Sequence, residues 1–167
     1  MTIKVGDRLP AGTLQEYYDV ETNGCAIGPN PLSIESLTRG KKVVIFGLPG
    51  AFTPTCSAKH VPSYLAAYDK LKAKGVDTIA CIAVNDAWVM DAWAKDQGAD
   101  DIVMLADGSG EFAKAMGLEF DGSGFGLGQR SQRYAAVIED GTITKLEVEP
   151  KPGVDVSSCD SILDKLG

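Results

Sequence analysis

Residues 43–56 have the sequence VVIFGLPGAFTPTC, in which an apolar run leads through a loop to a cysteine. The apolar run is too short and too rich in β-branched side chains for a helix, so it predicts a fully buried strand. Thr53 and Pro54 suit the N-cap and the first position of a helix, which we expect over residues 54–74. Cys56 would then lie in the first helical turn, just beyond the carboxyl end of the strand.

Similar patterns predict further elements on both sides of this stretch. Strands are expected at residues 13–20, 43–47, 76–84, 102–106, 134–139 and 142–148. Helices are expected at residues 34–38, 54–74, 86–97 and 111–116, with a last helix ending at residue 166. This order predicts one domain, residues 1–167, built as a three-layer α/β sandwich with a mixed central sheet and helices on both faces.

Capping and turn residues support these boundaries. The expected N-cap residues are Ser33, Asn85 and either Ser157 or Ser158. Residues 23–31, rich in Gly, Pro and Asn, predict a loop, and Pro62 predicts a kink in the helix that carries the cysteine. Asp140 and Gly141 between two alternating runs are the strongest hairpin signal in the chain.

The composition is that of an ordinary globular protein, with 167 residues, 44% of them hydrophobic, and a net charge of −7. The acidic balance disfavours binding to nucleic acid or to an anionic membrane, and no apolar run approaches the ~20 residues of a membrane span. The start of the chain lacks the basic and apolar regions of a signal peptide, so we expect a cytoplasmic protein. One histidine and no Cys-x-x-Cys pair argue against a zinc site, and no metal is expected.

The position of Cys56 predicts a reactive thiol. Reactive groups of open α/β sheets gather beyond the carboxyl ends of the strands. In the first turn of a helix, unpaired N–H groups and the positive end of the helix dipole favour a thiolate, which is the nucleophilic form of cysteine. Pro49, Gly50 and Pro54 would fix the approach to it. The alternative is that Cys56 is a small apolar residue that fills space at a helix start.

A family resemblance favours the reactive interpretation. The spacing Pro49-x-x-x-Thr53-x-x-Cys56 resembles the signature of the peroxiredoxins, and residues 46–57, with the histidine and proline that follow, are similar to the type II or peroxiredoxin-5-like subfamily. Further similar segments are residues 4–7, 74–76, 84–86, 105–107 and 130–134. The resemblance implies a thioredoxin-like fold and a thiol-dependent peroxidase that reduces hydrogen peroxide and alkyl hydroperoxides without metal, haem or flavin.

The resemblance also implies roles for the residues that match the signature. Cys56 would be the peroxidatic cysteine, whose thiolate attacks a peroxide oxygen and becomes a sulfenic acid. Thr53 would hydrogen-bond the thiolate or the peroxide, and Pro49 would shield the sulfur. Arg133 would favour the thiolate and stabilise the leaving oxygen, with Arg130 as the alternative cation.

Other residues are expected around the pocket. His60, Gly50 and Phe52 would line it. A Cys–His pair of the protease kind is conceivable for His60, but the resemblance implies a pocket wall and not a base. The glycine-rich residues 121–128 lack the spacing and the position of a dinucleotide-binding loop, so a flexible rim of the active site is expected there.

The sequence leaves the resolving step open. Cys81 lies within a predicted buried strand, which favours an inert thiol, although plant members of the subfamily resemble this chain in having a second cysteine there. Cys159 lies at the start of the last helix, where we expect it to be more exposed, and its neighbourhood is similar to that of the resolving cysteine in animal members. No role transfers to Cys25. We favour direct reduction by an external thiol, with Cys81 or Cys159 auxiliary.

The resemblance further implies partners. Glutaredoxin with glutathione, or thioredoxin, would be the reductant, and a homodimer is expected. A peroxide-sensing switch or binding module that uses Cys56 is the alternative function. A disulfide reductase is disfavoured, because the chain has no Cys-x-x-Cys pair.

Overall fold

The structure is a computed structural model and describes residues 2–19, 21 and 26–166. Its strands are β1 (Thr13–Tyr18), β2 (Gly28–Ser33), β3 (Lys42–Leu48), β4 (Thr78–Ala83), β5 (Val103–Ala106), β6 (Glu119–Asp121), β7 (Gln129–Ser131), β8 (Tyr134–Glu139) and β9 (Thr142–Val148). Its α-helices are α1 (Ile34–Thr38), α2 (Val61–Ala66), α3 (Tyr68–Ala73), α4 (Ala87–Gln97), α5 (Glu111–Met116) and α6 (Cys159–Leu166).

The central sheet is mixed, as the sequence predicts. Its strand order is β2-β1-β5-β4-β3-β8-β9, and a separate pair is formed by β6 and β7. Strands β3, β4 and β5 run parallel, whereas β8 pairs antiparallel with β3. The predicted hairpin is confirmed with its boundaries, and its turn residues Asp140 and Gly141 have φ of 48° and 82°.

Two hydrophobic cores lie on opposite faces of this sheet. Because side chains alternate along a strand, Val44 and Phe46 of β3 belong to one core, and Val43 and Ile45 belong to the other. Helices α2, α3, α4 and α6 cover the first core, and α1 and α5 cover the second. The predicted three-layer sandwich is therefore confirmed.

The early hairpin differs from the prediction. Residues 28–33, of which the first part was expected to be a loop, form β2 and pair antiparallel with β1. The prolines Pro29 and Pro31 are tolerated because β2 lies at the edge of the sheet, where one side of the strand needs no partner. Val20 and residues 22–25 of these predictions lie outside the described residues.

The helix that follows the loop is less regular than predicted. It begins at Pro54 and passes through a π-helical turn, Cys56–His60, in which the N–H of Val61 bonds to the carbonyl of Cys56. Pro62, which lacks the N–H that an α-helix would use here, follows directly. A second interruption, which the sequence did not indicate, lies at Ala67 between α2 and α3.

The cap of α4 is also corrected. The carboxylate of Asp86, and not the predicted Asn85, accepts from the N–H of Val89 at 2.9 Å. The side-chain oxygen of Asn85 accepts instead from the N–H of Ala51 at 2.9 Å, so it fastens the loop that precedes Cys56.

Gly47 provides a test of the packing between β3 and β8. It pairs with Tyr134, and a Cβ at this position would overlap the Tyr134 ring, which is buried. Gly47→Ala should therefore lower the free energy of unfolding by about 1–3 kcal/mol, as overpacking does. Urea denaturation measures this value. Gly12→Ala is the control, because an added Cβ there meets nothing within 4 Å. Equal stability of the two variants would contradict this packing.

Candidate active site

Cys56 lies in the first turn of the helix that follows β3. The carbonyl of Thr53 accepts the first helical hydrogen bond, from the N–H of Ser57 at 3.0 Å, so the turn that starts there includes the cysteine. The amides that come before Ser57 in such a turn have no acceptor within the helix. Cys56 has 0% of its surface exposed.

A guanidinium group lies directly on the sulfur. Arg133 precedes β8, and the pairing of Tyr134 with Gly47 brings this arginine to the carboxyl end of β3. Its Nη2 donates to Sγ of Cys56 at 3.1 Å, and its Nη1 donates to Nδ1 of His60 at 2.9 Å. One planar side chain therefore joins the two residues on the helix.

His60 is held as a neutral acceptor. Because arginine can only donate, Nδ1 accepts and the proton lies on Nε2, which donates to the carbonyl of Ser157 at 3.1 Å. Burial, with the charge of Arg133 as a second cause, lowers the pKa of His60 to about 3. The ring is in contact with Phe46 and has both nitrogens occupied. The hydrogen bond to Arg133 is a contact that the sequence did not indicate, and the expected role of His60 as a pocket wall stays a prediction.

The loop between β3 and the helix is fixed from several sides. The Thr53 hydroxyl donates to the carbonyl of Gly50 at 2.6 Å, and the bond to the thiolate or the peroxide that the resemblance implies stays a prediction. Its oxygen keeps lone pairs that can accept from a hydroperoxide. Arg130 donates through Nη1 to the carbonyl of Pro49 at 3.4 Å and through Nε to Leu127 at 3.0 Å. The alternative cation thus holds the loop, while Arg133 contacts the sulfur.

Two further loop residues have constraints of their own. A Cβ at Gly50 would lie 2.8 Å from Nη1 of Arg130, so glycine permits that close approach. Phe52 has a φ of 63°, which is unfavourable for an aromatic residue, and 52% of the surface of this residue is exposed. The structure therefore places an apolar ring at the outer side of the loop.

A groove that the sequence did not indicate runs beside the site. Its volume is about 450 Å³. Its lining includes Pro49, Thr55, Phe120, Arg133 and residues 149–153. The expected rim, residues 121–128, contains the end of β6 and a 3₁₀ turn, Ser123–Phe125. The segments that line the groove are distant in sequence and come together only in the folded chain, so no local sequence pattern predicts the groove.

The other described cysteines are free thiols and are buried. Burial raises the pKa of Cys81 well above its usual value, and burial raises the pKa of Cys159 to about 12. The expectation that Cys159 would be more exposed is wrong, because α6 packs on α2 and the Cys159 N–H donates to Oγ of Ser63 at 3.3 Å. Cys25 lies outside the described residues.

Within the described parts of the chain, no group of His, Cys, Asp and Glu side chains could hold a metal ion. None of the described helices is long and apolar enough to cross a membrane.

Comparisons with known proteins agree with this geometry. The Redoxin family model matches residues 4–163. The chloroplastic peroxiredoxin-2E of Arabidopsis thaliana is 45% identical, and the match covers 99% of this chain and 70% of that protein. Reduced Prx3 of Vibrio vulnificus with hydrogen peroxide is 47% identical, with a TM-score of 0.91, over 99% of this chain and 96% of that one.

A crystal structure from Burkholderia cenocepacia, provisionally described as a thioredoxin reductase, is 49% identical with a TM-score of 0.97, over 100% of this chain and 99% of that one. That description fits this chain poorly, because the sequence has no Cys-x-x-Cys pair.

The chain belongs to the redoxin family and, within it, to the peroxiredoxins, with the thioredoxin-like fold that the sequence predicts. It is a thiol-dependent peroxidase, an oxidoreductase that acts on peroxides.

Arg133→Ala should slow the reaction of the reduced protein with hydrogen peroxide by about a hundredfold, because it removes a preorganised donor from Cys56, the expected peroxidatic cysteine. Stopped-flow measurement of the second-order rate constant tests this. Arg39→Ala is the control, since Arg39 pairs with Glu35 and both side chains are exposed. An unchanged rate in Arg133→Ala would move the role to Arg130.

Stability should depend on pH through His60, the one histidine in the chain. Its pKa is about 3 when folded, so the unfolded chain, with a pKa near 6.5, binds the proton more readily. The contribution is fully present above about pH 6.5 and is lost as the pH falls, by about 2 kcal/mol between pH 7 and pH 5. Urea unfolding of the wild type and His60→Gln measures this. An equal slope in the variant would contradict it.

Proposed function

We propose that Cys56 is the peroxidatic cysteine and that an external thiol, supplied by glutathione with glutaredoxin or by thioredoxin, regenerates it. The observation that carries the proposal is the 3.1 Å hydrogen bond from Nη2 of Arg133 to Sγ of Cys56. A cation held on a sulfur favours the thiolate and stabilises negative charge that develops beside it.

The reaction follows from this arrangement. The thiolate of Cys56 attacks one oxygen of the hydroperoxide, and the O–O bond breaks. The leaving oxygen takes a proton and departs as water or alcohol, while Cys56 becomes a sulfenic acid. Arg133 stabilises the leaving oxygen, and Thr53 accepts a hydrogen bond from the peroxide. Pro49 limits access of water.

Regeneration needs two thiols from outside the protein. The first attacks the sulfenic acid and releases water, which leaves a mixed disulfide on Cys56. The second attacks that disulfide, so that Cys56 returns as a thiol and the two external thiols leave joined as a disulfide. Thiolates are the attacking species, and the raised pKa values of Cys81 and Cys159 keep both protonated near neutral pH. This supports the external route.

We also propose a homodimer in the cytoplasm. The exposed ring of Phe52 beside the active-site loop supports contact between two copies near that face. Free thiols at Cys56, Cys81 and Cys159 suit a reducing compartment.

Analytical ultracentrifugation of the wild type and Phe52→Ser tests the dimer. Imaging of the tagged protein tests whether it lies in the cytoplasm or in a chloroplast, the site of the Arabidopsis relative.

Cysteine variants test the catalytic cycle. Cys56→Ser should abolish peroxide consumption, because serine lacks a thiolate. Cys25→Ser, Cys81→Ser and Cys159→Ser should keep turnover with glutathione and glutaredoxin. Each protein is assayed with that pair and separately with thioredoxin, while peroxide loss is followed.

The outcomes are distinct. Half the turnover in Cys56→Ser would contradict the proposal. Loss of thioredoxin turnover alone in Cys81→Ser or Cys159→Ser would identify that residue as a resolving thiol and overturn the external route for thioredoxin. Oxidation of Cys56 in a single round, without turnover with either donor, would identify a peroxide-sensing switch.

A further inference from the structure

Glu149, just beyond the end of β9, gathers three hydrogen bonds on one oxygen. Its Oε2 accepts from the N–H of Asp155 at 2.8 Å, from the N–H of Ser157 at 2.8 Å and from the Oγ of Ser157 at 2.5 Å. Burial raises the pKa of Glu149, but the hydrogen bonds from Ser157 and nearby N–H groups outweigh it and leave the pKa below its usual value. The carboxylate closes residues 149–157 into a fixed loop.

The last residue of this loop, Ser157, contacts His60, which in turn contacts Arg133. Ser157 is fully buried, and its carbonyl accepts from Nε2 of His60 at 3.1 Å and from the Tyr64 hydroxyl at 2.8 Å. The carbonyl sets the tautomer of His60, so that Nδ1 offers a lone pair to Arg133. Without this carbonyl, the ring could turn over and present an N–H to the guanidinium.

Glu149 also bonds to the arginine through the main chain. Its N–H donates to the carbonyl of Arg133 at 2.9 Å. The residue therefore acts at both ends of the arginine: at the backbone directly, and at the guanidinium through Ser157 and His60. The expected active-site residues did not include it, since nothing in its local sequence marks it.

We propose that Glu149 is a positioning residue for the peroxidase reaction, which fixes the guanidinium of Arg133 on Cys56 through the carbonyl of Ser157 and the ring of His60. The inference rests on the proposed function of Cys56 and Arg133. Its side chain touches neither the sulfur nor the peroxide, so its effect on the reaction passes through Arg133.

The proposal is tested by the single-turnover reaction of the reduced protein with hydrogen peroxide. This reaction involves no reductant and no substrate large enough to occupy the groove, so its rate reports on the attack step alone. Glu149→Ala should lower the second-order rate constant by about tenfold to a hundredfold. A loss of this size is expected when the guanidinium of Arg133 is displaced by up to about 1 Å. Glu149→Gln should stay within about threefold of the wild type, because an amide oxygen can still accept from the N–H groups of Asp155 and Ser157. Glu147→Ala is the control, since Glu147 pairs with Lys165 on the surface.

A double-mutant cycle separates positioning from a general structural role. In the Arg133→Ala background, Glu149→Ala should cause no further loss, because the group that it positions is absent. Circular dichroism and thermal unfolding check that each variant is folded. If Glu149→Ala does not fold, the Glu149→Gln and Ser157→Ala variants are used in the same cycle, with Ser157→Ala expected to show a smaller loss, since it keeps the carbonyl.

Three results would overturn the inference: a normal rate in Glu149→Ala, the same loss in Glu149→Gln, or additive losses with Arg133→Ala. If the wild type itself fails to react with peroxide, the proposed function fails. A fast wild type with additive losses removes only the role of Glu149.

Discussion

The two-pronged contact of Arg133 with Cys56 and His60 is the interaction on which the rest of the site depends. It joins the start of one helix to the strand β8, which is distant in sequence and adjacent to β3 in the sheet. The packing of β3 against β8 supports that contact. Gly47 leaves room for the ring of Tyr134, which directly follows Arg133, and the pairing of Gly47 with Tyr134 brings Arg133 to the sulfur.

Burial keeps His60 in the protonation state that its contact with Arg133 requires. A guanidinium donates from both nitrogens in one plane, so its partners must both be acceptors at fixed positions. His60 meets this requirement only in the neutral form, and the buried surroundings that lower its pKa keep it neutral. The position of Arg133 on the sulfur of Cys56 thus depends on buried, apolar surroundings that keep His60 neutral.

The sequence predicts local features of the fold well, and contacts between distant segments poorly. The strand at residues 43–47 and the final hairpin follow from alternation and turn residues, and Cys56 follows from its place after a strand. Arg133 could be assigned only by resemblance, because no spacing relates it to the cysteine. Glu149 gave no signal at all, since it acts through loop hydrogen bonds. Cys159 was placed wrongly because the burial of a helix end depends on what packs against it.

If Cys56 is the peroxidatic cysteine, as we propose, the charge balance beside its sulfur changes once the peroxide has reacted. A thiolate at Cys56 neutralises Arg133, whereas a sulfenic acid carries no charge, and neutral His60 supplies none in its place. A partly buried guanidinium left without an anion is costly. The oxidised state therefore loses an electrostatic reason to remain closed at the first helical turn, where Cys56 is fully covered in the reduced form. On the proposed mechanism, oxidation of Cys56 would therefore remove one of the attractions that keep its sulfur covered.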